Sequence, residues 1–171
     1  MPISRPVLAY YRDRIFAKMG RDRVPPNFEP RADTPDGFST VDGCRARGKN
    51  ILELSIWLTA GHAGEEAQIA DVRVGCGLCN PAMYVASDLL ADFARGQTAG
   101  VLLALDPLAP STLDPLFAAL APEDDEERPE DAREKFQYGL IALQNAVRSA
   151  VGHAPVEVPE IAEPGAWEHA D

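Results

Sequence analysis

The first apolar periodicity falls at residues 7–19, where Leu8, Tyr11, Ile15 and Met19 recur three or four residues apart and Gly20 supplies a stop. The spacing predicts an amphipathic helix. Residues 21–37 hold Pro25, Pro26, Pro30 and Pro35 among acidic and small residues, a composition that predicts an irregular arm wrapping the domain. The period then changes to two. Leu52, Leu54, Ile56 and Leu58 alternate with polar neighbours over residues 50–59, and Ala70, Val72 and Val74 do the same over residues 68–74. Residues 60–64 read as the turn between these strands, and residues 38–45 as a strand ahead of them. The expectation is an antiparallel meander of three strands, with Trp57 packed on a helix.

The second half is helical. Asn80-Pro81 offers an N-cap residue and a proline suited to the first helical position, after which Met83, Ala86, Leu90 and Phe93 form a stripe ended by Gly96. Short helices are predicted over residues 98–105 and 111–120. A longer one over 129–151 carries Phe136, Leu140, Leu143, Val147 and Val151 on one face, with Gly152 as its stop. Strands first and helices afterwards predict an α+β fold, a three-stranded antiparallel sheet with helices packed on one face.

Composition narrows the function. The 171 residues include 16 Lys+Arg and 27 Asp+Glu, a formal net charge of −11. No basic stripe exists to displace counterions from nucleic acid, and phosphate or anionic membrane surfaces would be repelled. No signal-peptide pattern opens the chain and no apolar run approaches membrane-spanning length, so a cytoplasmic protein is expected. Residues 1–152 read as one domain, with the Pro-rich arm at 21–37 and an acidic loop at 122–131. Residues 153–171 read as a flexible acidic tail.

The three cysteines, Cys44, Cys76 and Cys79, all lie in the first half. In a reducing compartment they do not form a disulfide framework. Cys76 and Cys79 sit between a strand end and a capped helix start, where unpaired amide hydrogens and the helix dipole favour thiolate over thiol. Cys44 ends the first predicted strand, and the meander can bring it to the same sheet end. Three sulfurs there make an incomplete metal site, to which Asp42 and Tyr138 could add oxygen. Two other readings compete: small buried hydrophobes, and thiol–disulfide exchange by the Cys-x-x-Cys pair. The two antiparallel strands upstream oppose the exchange reading, since thioredoxin-like folds need a parallel β-α-β unit. His62 and His153 read as solvent-exposed, and Trp167 belongs to the tail.

The order of an N-terminal Tyr-bearing helix, Gly43-Cys44, Gly75-Cys76-Gly77 and the helix segment Val85 to Arg95-Gly96 resembles the NifU/IscU/SufU family of iron–sulfur cluster assembly scaffolds. The likeness covers residues 8–151. It implies a NifU N-terminal/SufE-like fold, no enzyme activity in the strict sense, and a labile 2Fe-2S cluster or zinc held by cysteine thiolates. It also implies a cysteine desulfurase or an acceptor iron–sulfur protein as partner. Cys44 and Cys76 match two family cysteines, and Lys135 matches the family lysine before the third. The family aspartate falls on Ala46, the third cysteine falls near Tyr138, and Cys79 is an addition that could replace it. The site implied is therefore Cys44, Cys76 and Cys79, with Asp42 beside them and Lys135 and Tyr138 as neighbours. The alternative is a scaffold-derived domain without assembly activity, serving as a partner-binding subunit of a larger complex.

Overall fold

The computed structural model describes residues 5–16, 25–44, 50–76, 81–118, 120 and 130–157; the side chains of 41–44, 50–51, 76, 110 and 130–132 fall outside that description. Three strands, β1 (Gly37–Cys44), β2 (Asn50–Leu58) and β3 (Ile69–Cys76), pair antiparallel in the order β1-β2-β3. This is the predicted meander. Alternation places Leu52, Leu54 and Ile56 of β2 in the core beside Val72 and Val74 of β3. The register slips between Trp57 and Leu58, so that Trp57 faces Asp71 and Leu58 faces Ile69. Because of this bulge Ile69 is buried and Ala70 is exposed, where strict alternation had Ala70 inside.

Helices α1 (Arg5–Tyr10), α2 (Pro81–Ala94), α3 (Ala99–Leu103), α4 (Pro110–Ala118) and α5 (Glu130–Ala150) complete the described fold. The two long ones cover one face of the sheet, α5 on β1 and β2 and α2 on β3, and they pack on each other. The expected α+β architecture is present. Helix α2 is buried almost all round, which exceeds the single predicted stripe and marks it as the central helix. It crosses α5 closely, since a Cβ added at Gly139 would come within 2.7 Å of Leu90 Cδ1. At the outer end of β1, a Cβ on Gly37 would collide with the Ala146 carbonyl oxygen and with Ala150. These glycines set how near the elements lie. Gly96 and Gly152, at φ 84° and 81°, end α2 and α5 as predicted, because a left-handed residue is cheapest without a Cβ.

The N-terminal helix departs from expectation. After Tyr10 the winding widens to π-helix over Tyr11–Phe16, which shifts the apolar stripe. Val7 and Ile15 are buried while Leu8 is exposed; Met19 is outside the described residues. Trp57 is buried apart from the core cluster, its ring beneath the Arg31 guanidinium at 4.3 Å. No helix among the described residues is long and apolar enough to cross a membrane.

Candidate functional site

Strands β1 and β3 both flank β2 antiparallel, so they run in the same direction and end together. Val41 pairs with Leu52, which pairs on its other side with Cys76; Cys44 pairs with Asn50 two rows further on. The backbone thus brings Cys44 and Cys76 to one end of the sheet, separated by β2 and by two rows, a span of about 12 Å at ordinary strand spacing and rise. Asp42 pairs with Ile51, in the row between them. Helix α2 begins at Pro81, five residues beyond Cys76. Cys79 and Asn80 lie outside the described residues.

Helix α5 supplies the remaining wall. Gly37 abuts Ala146 and Ala150, and Ser39 Oγ donates to the Ala142 carbonyl. Two residues of strand, about 6.6 Å, therefore match four residues of helix, about 6 Å, running the opposite way. Continuing that match brings the first turns of α5 level with Cys44. Lys135 and Tyr138 occupy those turns and are only 4% and 1% exposed. Tyr138 belongs to the core cluster. A buried ammonium is tolerable only with polar or anionic company, which marks this end as electrostatically specialised. Glu53, unremarked in the sequence as one more polar position of an alternating strand, lies over Gly75, its Oε2 3.1 Å from where a Cβ would stand. Gly75 makes room for that carboxylate one row from Cys76.

A second polar constellation sits at the outer edge of β3, around an open cavity of about 510 Å³. Asp71 accepts from Arg31 Nη1, Arg73 Nε and Arg95 Nε at 2.9, 2.9 and 3.0 Å. Burial pushes its carboxyl up, but the three arginine hydrogen bonds and the Arg73 charge outweigh this and hold it at about 2. Arg95 also donates to the Val72 carbonyl at 2.8 Å, to Asp92 Oδ1 and to Asn27 Oδ1. The buried Asn27 amide in turn donates to Asp88 and Asp92. Asp88 accepts the Tyr10 hydroxyl, and burial together with that bond holds the phenol well above its ordinary range. Arg73 reaches the carbonyls of Pro26 and Glu29.

Each of these charges is spent on another part of the chain. The network clamps the arm around Pro26–Phe28 to β3 and α2, and an aspartate held at about 2 stays ionised at neutral pH. It is built to hold, not to move protons. No local pattern announces it, because the arm residues Arg31 and Asn27 lie 40 and 68 residues from their partners Asp71 and Arg95, and each charge alone reads as an ordinary surface residue.

His62 and His153 are exposed, as expected, and His62 lies in the turn at the far end of the β2–β3 hairpin from the cysteines. Among the described residues no three His, Cys, Asp or Glu side chains converge as metal ligands, and the side chains of Cys44, Cys76, Cys79 and Asp42 are not in that set. Neither the protein-family models nor the curated proteins include a match to this chain.

Proposed function

We propose that the protein is a scaffold-like carrier of a labile iron–sulfur cluster or a zinc ion, bound through the thiolates of Cys44, Cys76 and Cys79. One observation carries the reading: the register of the meander ends β1 and β3 at the same end of the sheet, with Cys44 two rows beyond Cys76 and Asp42 in the row between. The donor set suits the cargo, since thiolates bind zinc and iron in such clusters. The start of α2, a helix of 14 residues, favours thiolate just beyond Cys76, and Lys135 adds positive charge at the same end. Asp42 is the carboxylate at hand for a fourth position. Such a carrier works without turnover in the enzymatic sense. It receives persulfide sulfur from a cysteine desulfurase, which a two-electron reductant brings to the sulfide level, and yields cargo to an acceptor iron–sulfur protein, both in the cytoplasm.

The second reading, a scaffold-derived subunit that binds a partner without cargo, draws on Tyr138, a core side chain standing near where the resembled family has its third cysteine. Anaerobic reconstitution separates the two. The wild-type protein should retain iron and acid-labile sulfide, or zinc, at near one site per chain, and Cys76→Ser and Cys44→Ser should each lose most of it. Wild-type protein that stays folded and metal-free, and co-purifies with a defined partner, would establish the second reading instead.

A further inference from the structure

The clamp on the β3 edge leaves part of its hydrogen-bonding capacity over, and the residues that keep it line a concave space. Arg14, Arg73, Arg95, Asp71, Asp88 and Asp92 surround the cavity of about 510 Å³. That volume falls within the range of small-molecule sites. The cavity lies toward the C-terminal end of α2, away from the helix start that follows the cysteines.

Three of these side chains have atoms to spare. Arg14 is exposed and forms no ion pair among the described residues; its guanidinium stands 5.2 Å over the Tyr10 ring, a contact that leaves most of its N–H fork open. Arg73 uses Nε on Asp71 and Nη1 on the Pro26 and Glu29 carbonyls, and its Nη2 has no partner among the described residues. Asp92 accepts from Asn27 and Arg95 through Oδ1; its side chain is 53% exposed, and Oδ2 takes no hydrogen bond among the described residues. Asp71 and Asp88 differ, since both oxygens of each carboxylate already accept. The open groups are therefore two cationic forks and one carboxylate oxygen. The clamp already holds Arg73 and Asp92 in place, so ordering them around a ligand costs little.

We propose that this cavity binds a small zwitterion of the α-amino acid class, its carboxylate on Arg14 and Arg73 Nη2 and its ammonium on Asp92 Oδ2. A guanidinium fork matches a carboxylate in shape and charge, and a carboxylate oxygen suits an ammonium. The charges around the cavity balance, three arginines against three aspartates, so a zwitterion of no net charge leaves none uncompensated. A free phosphate or dicarboxylate would bring surplus negative charge up to Asp88 and Asp92, in a chain whose net charge of −11 already repels anions. A simple amine would meet the three arginines with nothing to offer them. Pro25 and Pro26 supply the apolar part of the lining, which suits an aliphatic side chain. The site stands independently of whether the cysteines hold metal.

Titration of the full chain with L-valine, followed through the Asn27 side-chain amide in nitrogen–proton NMR correlation spectra, tests it. The signal should shift saturably with a Kd below about 1 mM. Isobutylamine, which lacks the carboxylate, and 3-methylbutanoate, which lacks the ammonium, should each bind at least tenfold more weakly. Arg14→Gln alters an exposed side chain outside the clamp, so the remaining spectrum should persist while L-valine weakens at least tenfold. Asp92→Asn should weaken L-valine by a similar factor and leave 3-methylbutanoate as it was. The absence of a saturable shift with L-valine overturns the proposal. Binding of 3-methylbutanoate as tight as that of L-valine does so too, because it assigns the cavity to anions alone. An unchanged L-valine affinity in Arg14→Gln places the ligand elsewhere and overturns it as well.

Discussion

The two edges of this sheet meet the same hazard with opposite means. An edge strand exposes unpaired amides and carbonyls that invite another strand. On β3 they are closed from within: the Ile69 N–H and C=O pair with Gln97 and Gly96, each at 2.9 Å, and Arg95 caps the Val72 carbonyl. Arg31, Arg73 and Arg95 converge on Asp71, and the arm at Pro26–Phe28 is tied down over them. On β1 the described closure beyond β2 is the Phe38–Ser149 bond. A charged clamp is costly to open and suits a permanent wall. On β1 a single neutral hydrogen bond, worth about 1 kcal/mol, ties the edge, and the wall there is the close seat of Gly37 against α5.

The largest effect expected along this contrast is at Gly37, where β1 meets α5 backbone to backbone. Gly37→Ala puts a methyl into the Ala146 carbonyl and Ala150, and neither can yield without moving the helix. The cost should be about 3 kcal/mol, at the upper end for overpacking, read as a lower urea midpoint with an unchanged slope. Gly139→Ala is the counterpart in the same helix. Its methyl meets only the tip of Leu90, and a mid-helix alanine gains up to about 1 kcal/mol over glycine, so the net change should stay within about 1 kcal/mol. Equal costs for the two would mean that β1 does not depend on its close seat against α5.

Asp71→Asn tests the other edge. The wild-type carboxylate contributes stability that is complete above its unfolded pKa, near 4, and is lost as pH falls through about 2, because its folded pKa is depressed. At pH 7 the variant should be less stable by roughly 2 kcal/mol. The gap should hold down to about pH 5 and close between about pH 4 and pH 2. Urea titrations at pH 7, 5, 4 and 2.5 decide it, and a gap that stays constant to pH 2.5 would show that the three arginines do not need the charge.

The sheet and the cysteine end were legible because both follow from strand order. Period-two alternation gives the strands, and any three-strand meander makes the ends of its first and third strands coincide, which puts Cys44 near Cys76. Gly96 and Gly152 punctuate the helices for a conformational reason that sequence carries directly. What escaped depends on register or on distance. The bulge that exchanges Ala70 for Ile69 and the π turn that buries Val7 in place of Leu8 shift a face without altering composition. The Asp71 clamp assembles residues from the arm, β3 and α2, and no local pattern announces it.

The smallest expected effect separates the ring from the clamp as the anchor of the arm. Trp57 faces Asp71 across the sheet and lies under Arg31, and its Nε1 is the one buried side-chain donor without a partner among the described residues. An orphaned buried N–H costs about 1–3 kcal/mol. Trp57→Phe removes that donor, and in exchange loses part of the ring area and some of the attraction for Arg31, about 1 kcal/mol at a partly exposed site. The terms offset, so urea unfolding should place the variant within about 1 kcal/mol of wild type, well short of the roughly 3–5 kcal/mol of an aromatic core truncation. Because Arg31 keeps its bonds to Asp33 and Asp71 in the variant, the arm should stay in place. A loss above about 3 kcal/mol would instead make the indole, and not the carboxylate, what holds Arg31 over this edge.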